Sequence, residues 1–180
     1  NAKGNRIAIG AMYDDDDGTN SGNVFIVDYD DDAGEWPSAD DTVITSVAGV
    51  INVSCTDDHQ CMGNSLSFNA AGDVLAIGAA GVSSVGKTGM IFIIERDNTT
   101  GGWGRLDGFT GTSITVTNQV YTTSYNMFAA AANTNFGRSV SLNAKGDRLA
   151  IGEFEYSTST GRVHLIHYDY LNKRWWTDGN

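Results

Sequence analysis

The stretch NAKGDRLAIGEFEYSTSTGRVHLIHY, residues 143–168, indicates the fold of this chain of 180 residues. It contains two apolar runs, at 149–151 and 163–166, which follow a tight turn and are separated by a polar loop. The same pattern occurs twice more, as NAKGNRIAIG and GNVFIVDY from Asn1 onward and as NAAGDVLAIG and GMIFIIER from Asn69 onward. One β-unit that recurs after 68 and 74 residues predicts a repeat architecture.

Each unit is predicted to contain up to four strands, which we name a to d in chain order. Strand a has apolar residues at alternate positions in MGNSLSFN (62–69) and FGRSVSLN (136–143), and strands b and c are the two apolar runs. Strand d is predicted within 42–53 in the first unit and around Ile114 and Val116 in the second. The first unit then lacks strand a and the third lacks strand d, which leaves ten strands.

The b and c runs are apolar at consecutive positions, which is typical of a sheet covered on both sides. The Ala and Gly of each LAIG-type run allow neighbouring sheets to approach closely. We therefore predict an all-β fold of three propeller-blade-like four-stranded repeats, open or completed by another chain. The repeats span 1–61, 62–135 and 136–180 and form one continuous domain, with a long Thr/Ser-rich insertion in the second.

The run FGRSVSLNAKGDRLAIGEF, followed by GRVHLIHY and then by Trp, resembles the FG-GAP repeat of the integrin-α-type β-propeller family. It is most similar to the bacterial and algal variant with the pattern FGxSVSL, GxxLAIGA, GxVYIY and W. In the second unit Met62-Gly63 stands where the family has Phe-Gly. The resemblance covers nearly the whole chain and implies a ligand-binding module of cell adhesion. The family's calcium loop between strands a and b is replaced here by Asn-Ala-Lys-Gly-type turns, so its calcium site is not expected.

The net charge of −11 argues against nucleic acid or an anionic membrane as a partner. Residues 1–60 hold 13 acidic and 2 basic residues and account for the whole excess, whereas residues 61–180 hold nine of each. No apolar run is long enough to span a membrane.

Four residues are candidates for covalent modification. Cys55 and Cys61 lie six residues apart around a polar loop, which predicts a disulfide in an oxidising compartment; two free thiols are the alternative. Asn52 and Asn98 each begin an Asn-x-Ser/Thr sequence and are candidate sites for N-linked glycans.

The acidic loop 14–20 is the candidate metal site. Asp14, Asp16 and Asn20 can supply oxygen ligands to calcium, and Gly18 allows the turn, although a solvated acidic loop is the alternative. No other cofactor is expected. The chain contains no nucleophile elbow and no convincing Ser-His-Asp set, so we do not expect an enzyme.

The incomplete first and third units predict a function. Two open sheet surfaces must be covered, and a head-to-tail contact between identical chains covers both. Such heterologous contacts generate filaments when they do not close. Lys173, Arg174, Trp175 and Trp176 are predicted to lie in this interface, because cationic and aromatic residues are enriched at binding hot spots. We expect an extracellular, self-associating structural protein; a ligand-binding adhesion module, or a fragment of a larger integrin-like propeller, is the alternative.

Overall fold

The computed structural model describes residues 1–16, 18–37, 50–55, 61–80, 89–99, 102–105, 113–116, 135–154, 160–171 and 174–177. These residues form twelve strands: β1 (Arg6–Ala11), β2 (Asn23–Asp28), β3 (Val50–Cys55), β4 (Met62–Phe68), β5 (Val74–Ala79), β6 (Met90–Arg96), β7 (Trp103–Arg105), β8 (Ser113–Val116), β9 (Phe136–Leu142), β10 (Arg148–Glu153), β11 (Arg162–Asp169) and β12 (Arg174–Thr177).

The strands form three four-stranded sheets, which confirms the predicted all-β fold. Sheet 1 has the order β1-β2-β3-β8, sheet 2 the order β4-β5-β6-β7 and sheet 3 the order β9-β10-β11-β12. Sheets 2 and 3 are antiparallel meanders, in which strands that follow each other in sequence also pair. Each repeat therefore supplies the main part of one blade-like sheet.

The second repeat differs from the prediction in its last strand. Strand d is β7, which contains Trp103 and pairs with β6. Ile114 and Val116 lie in β8 instead, which pairs in parallel with β3 and completes sheet 1. The boundary predicted at residue 61 therefore does not separate the sheets. The physical reason is the edge of β3, whose backbone groups are a template for another strand.

The third repeat contains the strand that was predicted to be absent. Residues 174–177 form β12, which pairs with β11. Trp175 and Trp176 thus lie within strand d rather than beyond the last strand, as the high strand propensity of aromatic residues favours. In the first repeat, β3 supplies strand d, and residues 42–47 lie outside the described residues. β1 is an edge strand of sheet 1.

An Asn side chain closes the turn before strand b in each repeat. Asn143 Oδ1 accepts hydrogen bonds of 3.0–3.1 Å from the three backbone N–H groups of residues 146–148. Asn69 makes the same three contacts, and Asn1 makes two of them. The glycine of each turn has φ between +72° and +80°, a conformation that glycine adopts without strain. The three turns therefore share the same spacing because the Asn side chain bonds the backbone of its own turn.

The three sheets stack face to face, with one apolar core on each side of sheet 2. The core between sheets 1 and 2 is made of Val24, Ile26, Met62, Leu75, Ile77, Ala79, Met90, Phe92, Ile94 and Trp103. The core between sheets 2 and 3 is made of Ala76, Ile91, Phe136, Leu149, Ile151, Ile166 and Trp175. Because both faces of sheet 2 are covered, its apolar runs do not alternate with polar residues.

In the second and third repeats, the backbone of strand a is in close contact with the backbone of the preceding sheet. A Cβ added at Gly10 in β1 would collide with the carbonyl oxygen of Gly63 in β4. A Cβ added at Gly78 in β5 would collide in the same way with the carbonyl oxygen of Gly137 in β9. Gly152 is the third member of this series, but a Cβ there would meet only atoms of its own sheet.

The different surroundings of Gly78 and Gly152 predict that a Gly→Ala substitution lowers the free energy of unfolding by different amounts at the two positions. Gly78→Ala should lower the free energy of unfolding by about 1–3 kcal/mol, because the new methyl group overlaps the Gly137 carbonyl. Gly152→Ala should change it by less than about 1 kcal/mol, since only the Ser139 hydroxyl must rotate away. Urea unfolding of both variants tests this difference. Equal losses for the two variants would contradict the close sheet contact at Gly78.

Candidate functional site

Sheets 2 and 3 carry the same rows of small and aliphatic residues on the face that is turned away from sheet 1. In sheet 2 these rows are Ser67, Ala76 and Ile93, then Ser65, Gly78 and Ile91. In sheet 3 the matching rows are Ser141, Ala150 and Leu165, then Ser139, Gly152 and Val163. We call these six residues of sheet 3 the open face.

The open face is exposed, whereas its counterparts in the other two sheets are covered. Val163 and Leu165 are 66% and 69% exposed. Ile91, at the position of Val163 in sheet 2, is 2% exposed, and Val24 and Ile26 in sheet 1 are 0% and 1% exposed. Ile93, at the position of Leu165 in sheet 2, is half-buried against the core between sheets 2 and 3. Aliphatic residues in this register are therefore buried or half-buried where a further sheet packs on them. The open face has the composition of a stacking surface.

A groove of about 320 Å³ lies on this face. Its walls include Ser141, Ala150 and Leu165, and Arg148 and His167 form a polar margin. None of the residues that line the groove is acidic. An apolar floor with a polar margin is the composition that protein interfaces share.

The serines of sheet 2 show what the serines of the open face are able to do. Ser65 Oγ donates a hydrogen bond of 2.8 Å to a carbonyl of β9, and Ser67 Oγ accepts one of 2.8 Å from an N–H of β9. Both bonds join sheet 2 to sheet 3. Ser139 and Ser141 occupy the same register positions in sheet 3 and are exposed. The open face therefore carries a donor and an acceptor for a further strand.

The predicted interface residues at the C-terminal strand need a correction. Trp175 is only 6% exposed, belongs to the core between sheets 2 and 3, and has its ring centroid 5.6 Å from that of Tyr168. It stabilises the stacking of the sheets and is not available to a partner. Lys173 lies outside the described residues, and of Arg174 and Trp176 only the backbone, in β12, is described.

The predicted calcium ligands lie in the loop between β1 and β2. Asp14 Oδ1 accepts a hydrogen bond of 3.0 Å from the N–H of Asp16, and Asp15 accepts one from the N–H of Asn20. The carboxylates of Asp14 and Asp15 thus close turns within the loop. The described residues contain no group of three or more His, Cys, Asp or Glu side chains arranged to hold a metal ion. Calcium binding stays a prediction, and Asp17 lies outside the described residues.

Cys61 is a free, buried cysteine in the structure, which contradicts the predicted disulfide with Cys55. Its backbone has φ of +55°, and its N–H donates to the carbonyl of Asn20 at 3.0 Å. Burial raises the pKa of the Cys61 thiol, although Arg138 acts in the opposite direction. The sequence shows only the spacing of two thiols, whereas the contact of strand a with sheet 1 decides that one of them is buried.

The two glycosylation candidates lie in different environments. Asn52 is in β3, which pairs with β2 on one side and β8 on the other, so its backbone is held within a sheet. Asn98 is exposed in the turn that follows β6. Because glycans need accessible loop positions, Asn98 is the better acceptor, and its use stays a prediction.

A buried charged cluster in sheet 3 was not predicted from the sequence. Glu153 is 1% exposed, and its Oε2 lies 2.8 Å from Arg162 Nη2 and 2.7 Å from His164 Nε2. The corresponding positions of sheet 2 are apolar: Ala79, Met90 and Phe92. An alignment of the second and third repeats would have revealed the cluster, because three positions that are apolar in the second repeat are ionisable in the third. The cluster joins the buried carboxylate to Arg162 by an ion pair and to His164 by a hydrogen bond. It lies beside Phe136, whose ring centroid is 5.1 Å from that of His164.

Comparison with protein-family models and with curated proteins finds no match to this chain. Within the described ranges, no helix has the length and apolar character needed to cross a membrane. A functional interpretation therefore depends on the geometry of the open face and on the repetition of the sheets.

The thiol of Cys61 gives a direct test of the corrected cysteine assignment. Because its pKa is raised by burial, little thiolate forms near pH 8, and alkylation should be slow in the folded protein. In denaturant and without reductant, Cys61 should react quickly and be identified by mass spectrometry. A protein that shows no reactive thiol after unfolding would instead contain the disulfide.

The charged cluster of sheet 3 predicts a non-additive response to substitution. Glu153→Ala should lower the free energy of unfolding by about 1–3 kcal/mol, because it leaves Arg162 and His164 without their carboxylate partner. The triple variant Glu153→Ala, Arg162→Met, His164→Phe copies sheet 2 and should recover most of this loss. Thermal or urea unfolding measures both. A triple variant no more stable than the single variant would show that the apolar residues of sheet 2 cannot replace the cluster in sheet 3.

Proposed function

We propose that this chain is a non-enzymatic structural protein of propeller-blade-like repeats, secreted or held at the cell surface, whose copies associate head to tail through the open face of sheet 3. The supporting observation is the exposure of Val163 and Leu165 at positions where the aliphatic residues of the other sheets are buried or half-buried. Repeat proteins that expose such a face require either a polar capping unit or a partner.

Apolar burial supplies the affinity in this proposal. Covering the open face removes the side chains of Val163 and Leu165 from water, and burial contributes about 25 cal/mol per Å² of apolar surface. Part of this gain is offset by the loss of translational and rotational freedom on association. A contact of this kind therefore needs the whole face rather than two residues.

Sheet 1 of a second copy is the surface that meets the open face. Ile7 and Ile9 in β1 are 40% and 41% exposed. They alternate with Ala8, which packs against the core shared with sheet 2, so they lie on the side of β1 that faces away from sheet 2. Two partly exposed aliphatic side chains thus face outward at the opposite end of the stack from Val163 and Leu165.

The charge distribution supports the same direction of association. Residues 1–60 carry a net charge of −11, whereas residues 136–180 hold six basic and five acidic residues. Arg148 is exposed at the margin of the groove on the open face. Opposite charges at the two ends of the chain favour head-to-tail encounter over head-to-head encounter, mainly through the association rate. Contacts of this heterologous type generate filaments when they do not close into a ring.

The repetition of the sheets also supports a second candidate. The open face has the rows of sheet 2, which receives the next repeat of the same chain. A ligand-binding adhesion module, or a larger integrin-like propeller in which a fourth repeat covers this face, has the same requirement. The mass of the native protein separates this candidate from the first.

The head-to-tail contact predicts a selective effect of one charge. Leu165→Asp places a carboxylate in the apolar part of the open face and should abolish concentration-dependent assembly in sedimentation velocity. Leu171→Asp is the matched control, because Leu171 is 90% exposed and lies outside the open face. Both variants should unfold like the parent. A parent chain that sediments as a monomer at high concentration would overturn self-association in favour of the second candidate.

A further inference from the structure

We infer that the open face of sheet 3 is a preformed seat for one extended strand of another polypeptide, with the sequence character large apolar residue, Gly, any residue, Ser, any residue, Ser. This strand is the partner segment for the open face. Its place in the contact between copies rests on the proposed head-to-tail function.

The first observation is that sheet 1 holds such a strand. The carbonyl of Met62 lies against Gly22, and the carbonyl of Gly63 lies against Gly10. The N–H of Met62 donates to the carbonyl of Ser21 at 3.0 Å. A side chain on either glycine of sheet 1 would occupy the space of a carbonyl of the arriving strand. The two glycines therefore make the seat.

The second observation is that sheet 2 repeats the arrangement with β9. The carbonyls of Phe136 and Gly137 lie against Gly89 and Gly78. Gly137 itself has φ of +82°, and a Cβ on it would lie 2.6 Å from the carbonyl oxygen of Met90. The arriving strand must therefore have glycine at its second position. The large residue before it is fully buried, at 0% exposure for Met62, which packs against sheet 1, and 1% for Phe136, which packs against sheet 2.

The third observation is that sheet 3 has the glycines and serines of this seat at the matching positions. Gly161 and Gly152 stand at the positions of Gly89 and Gly78, and a Cβ on either would meet only atoms of sheet 3. Ser139 and Ser141 are exposed at the positions of the serines that bond β9 to sheet 2. Among the described residues, no strand fills the seat. Its two glycines, its donor and its acceptor are matched to the backbone of one strand.

The turns before strand b of successive repeats are also joined by backbone hydrogen bonds. The N–H of Ala2 donates to the carbonyl of Ala70 at 3.1 Å, and the N–H of Ala70 donates to the carbonyl of Ala144 at 3.0 Å. Ala144 is exposed and is the next member of this series. A strand in the seat that continues into a turn therefore finds a backbone partner there.

This seat also explains what a head-to-tail contact requires. Sheet 1 ends at the edge strand β1, so its described residues present no strand a to the open face of a neighbouring copy. Two stacked copies therefore enclose a slot one strand wide, between β1 of one copy and β10 of the other. An extended segment in this slot pairs with β1 and seats its carbonyls on Gly152 and Gly161, in the manner of β-strand addition.

The test uses the full chain and a fluorescent peptide with the sequence of residues 135–143, NFGRSVSLN. The peptide should bind saturably in fluorescence anisotropy. Binding should weaken at least tenfold when the chain carries Gly152→Ala, or when valine replaces the glycine of the peptide. The chain variant Leu171→Asp should bind like the parent. A chain with Gly78→Ala distinguishes seating on sheet 3 from exchange with β9.

Three results would overturn the seat: no binding, equal binding by the parent and Gly152→Ala, or binding that responds to Gly78→Ala alone. Sedimentation separates this failure from failure of the proposed function. A chain that binds the peptide but stays monomeric retains the seat and overturns self-association. Copies that assemble and respond to Leu165→Asp, while the peptide does not bind, retain self-association and overturn the seat.

Discussion

The structure depends on the contact of a carbonyl group with a glycine in the preceding sheet. Gly63 meets Gly10 and Gly137 meets Gly78, and each contact fixes how closely strand a approaches the sheet before it. Farther from this contact, large side chains such as Phe92 and Trp103 lie in the core between sheets 1 and 2. Because packed interiors leave few voids, the small residues at one side and the aromatic residues at the other are parts of one constraint.

This constraint makes the stack directional. A sheet receives strand a of its follower on one face and inserts its own strand a on the other, so the first and last sheets expose different surfaces. In the proposed function, the exposed aliphatic residues of sheet 3 are the receiving surface, and β1 is the edge of the inserting side. A directional stack whose ends differ has the geometry of a heterologous contact, which supports assembly in line rather than in symmetric pairs.

Departures from the repeat are as informative as the repeat itself. Glu153, Arg162 and His164 replace apolar residues together, and they satisfy one another only because the register brings their side chains to one carboxylate. An ion cluster of this kind adds little net stability over an apolar core, since desolvation offsets the attraction between the charges. The cluster distinguishes sheet 3 from the other two sheets, and it lies next to Phe136, the first residue of β9.

The sequence by itself determined the strands a, b and c, the Asn-closed turns and the all-β class, because these depend on local periodicity and on side chains that bond their own backbone. The repeats in the sequence give the residues of the open face, but only the stacking of the sheets shows that Val163 and Leu165 are exposed. Tertiary structure alone decided the placement of β8 in sheet 1, the burial of Trp175 and the free thiol of Cys61. Strand pairing across distant segments and burial between sheets are long-range properties, and no local pattern in the sequence specifies which edge or face a segment will meet.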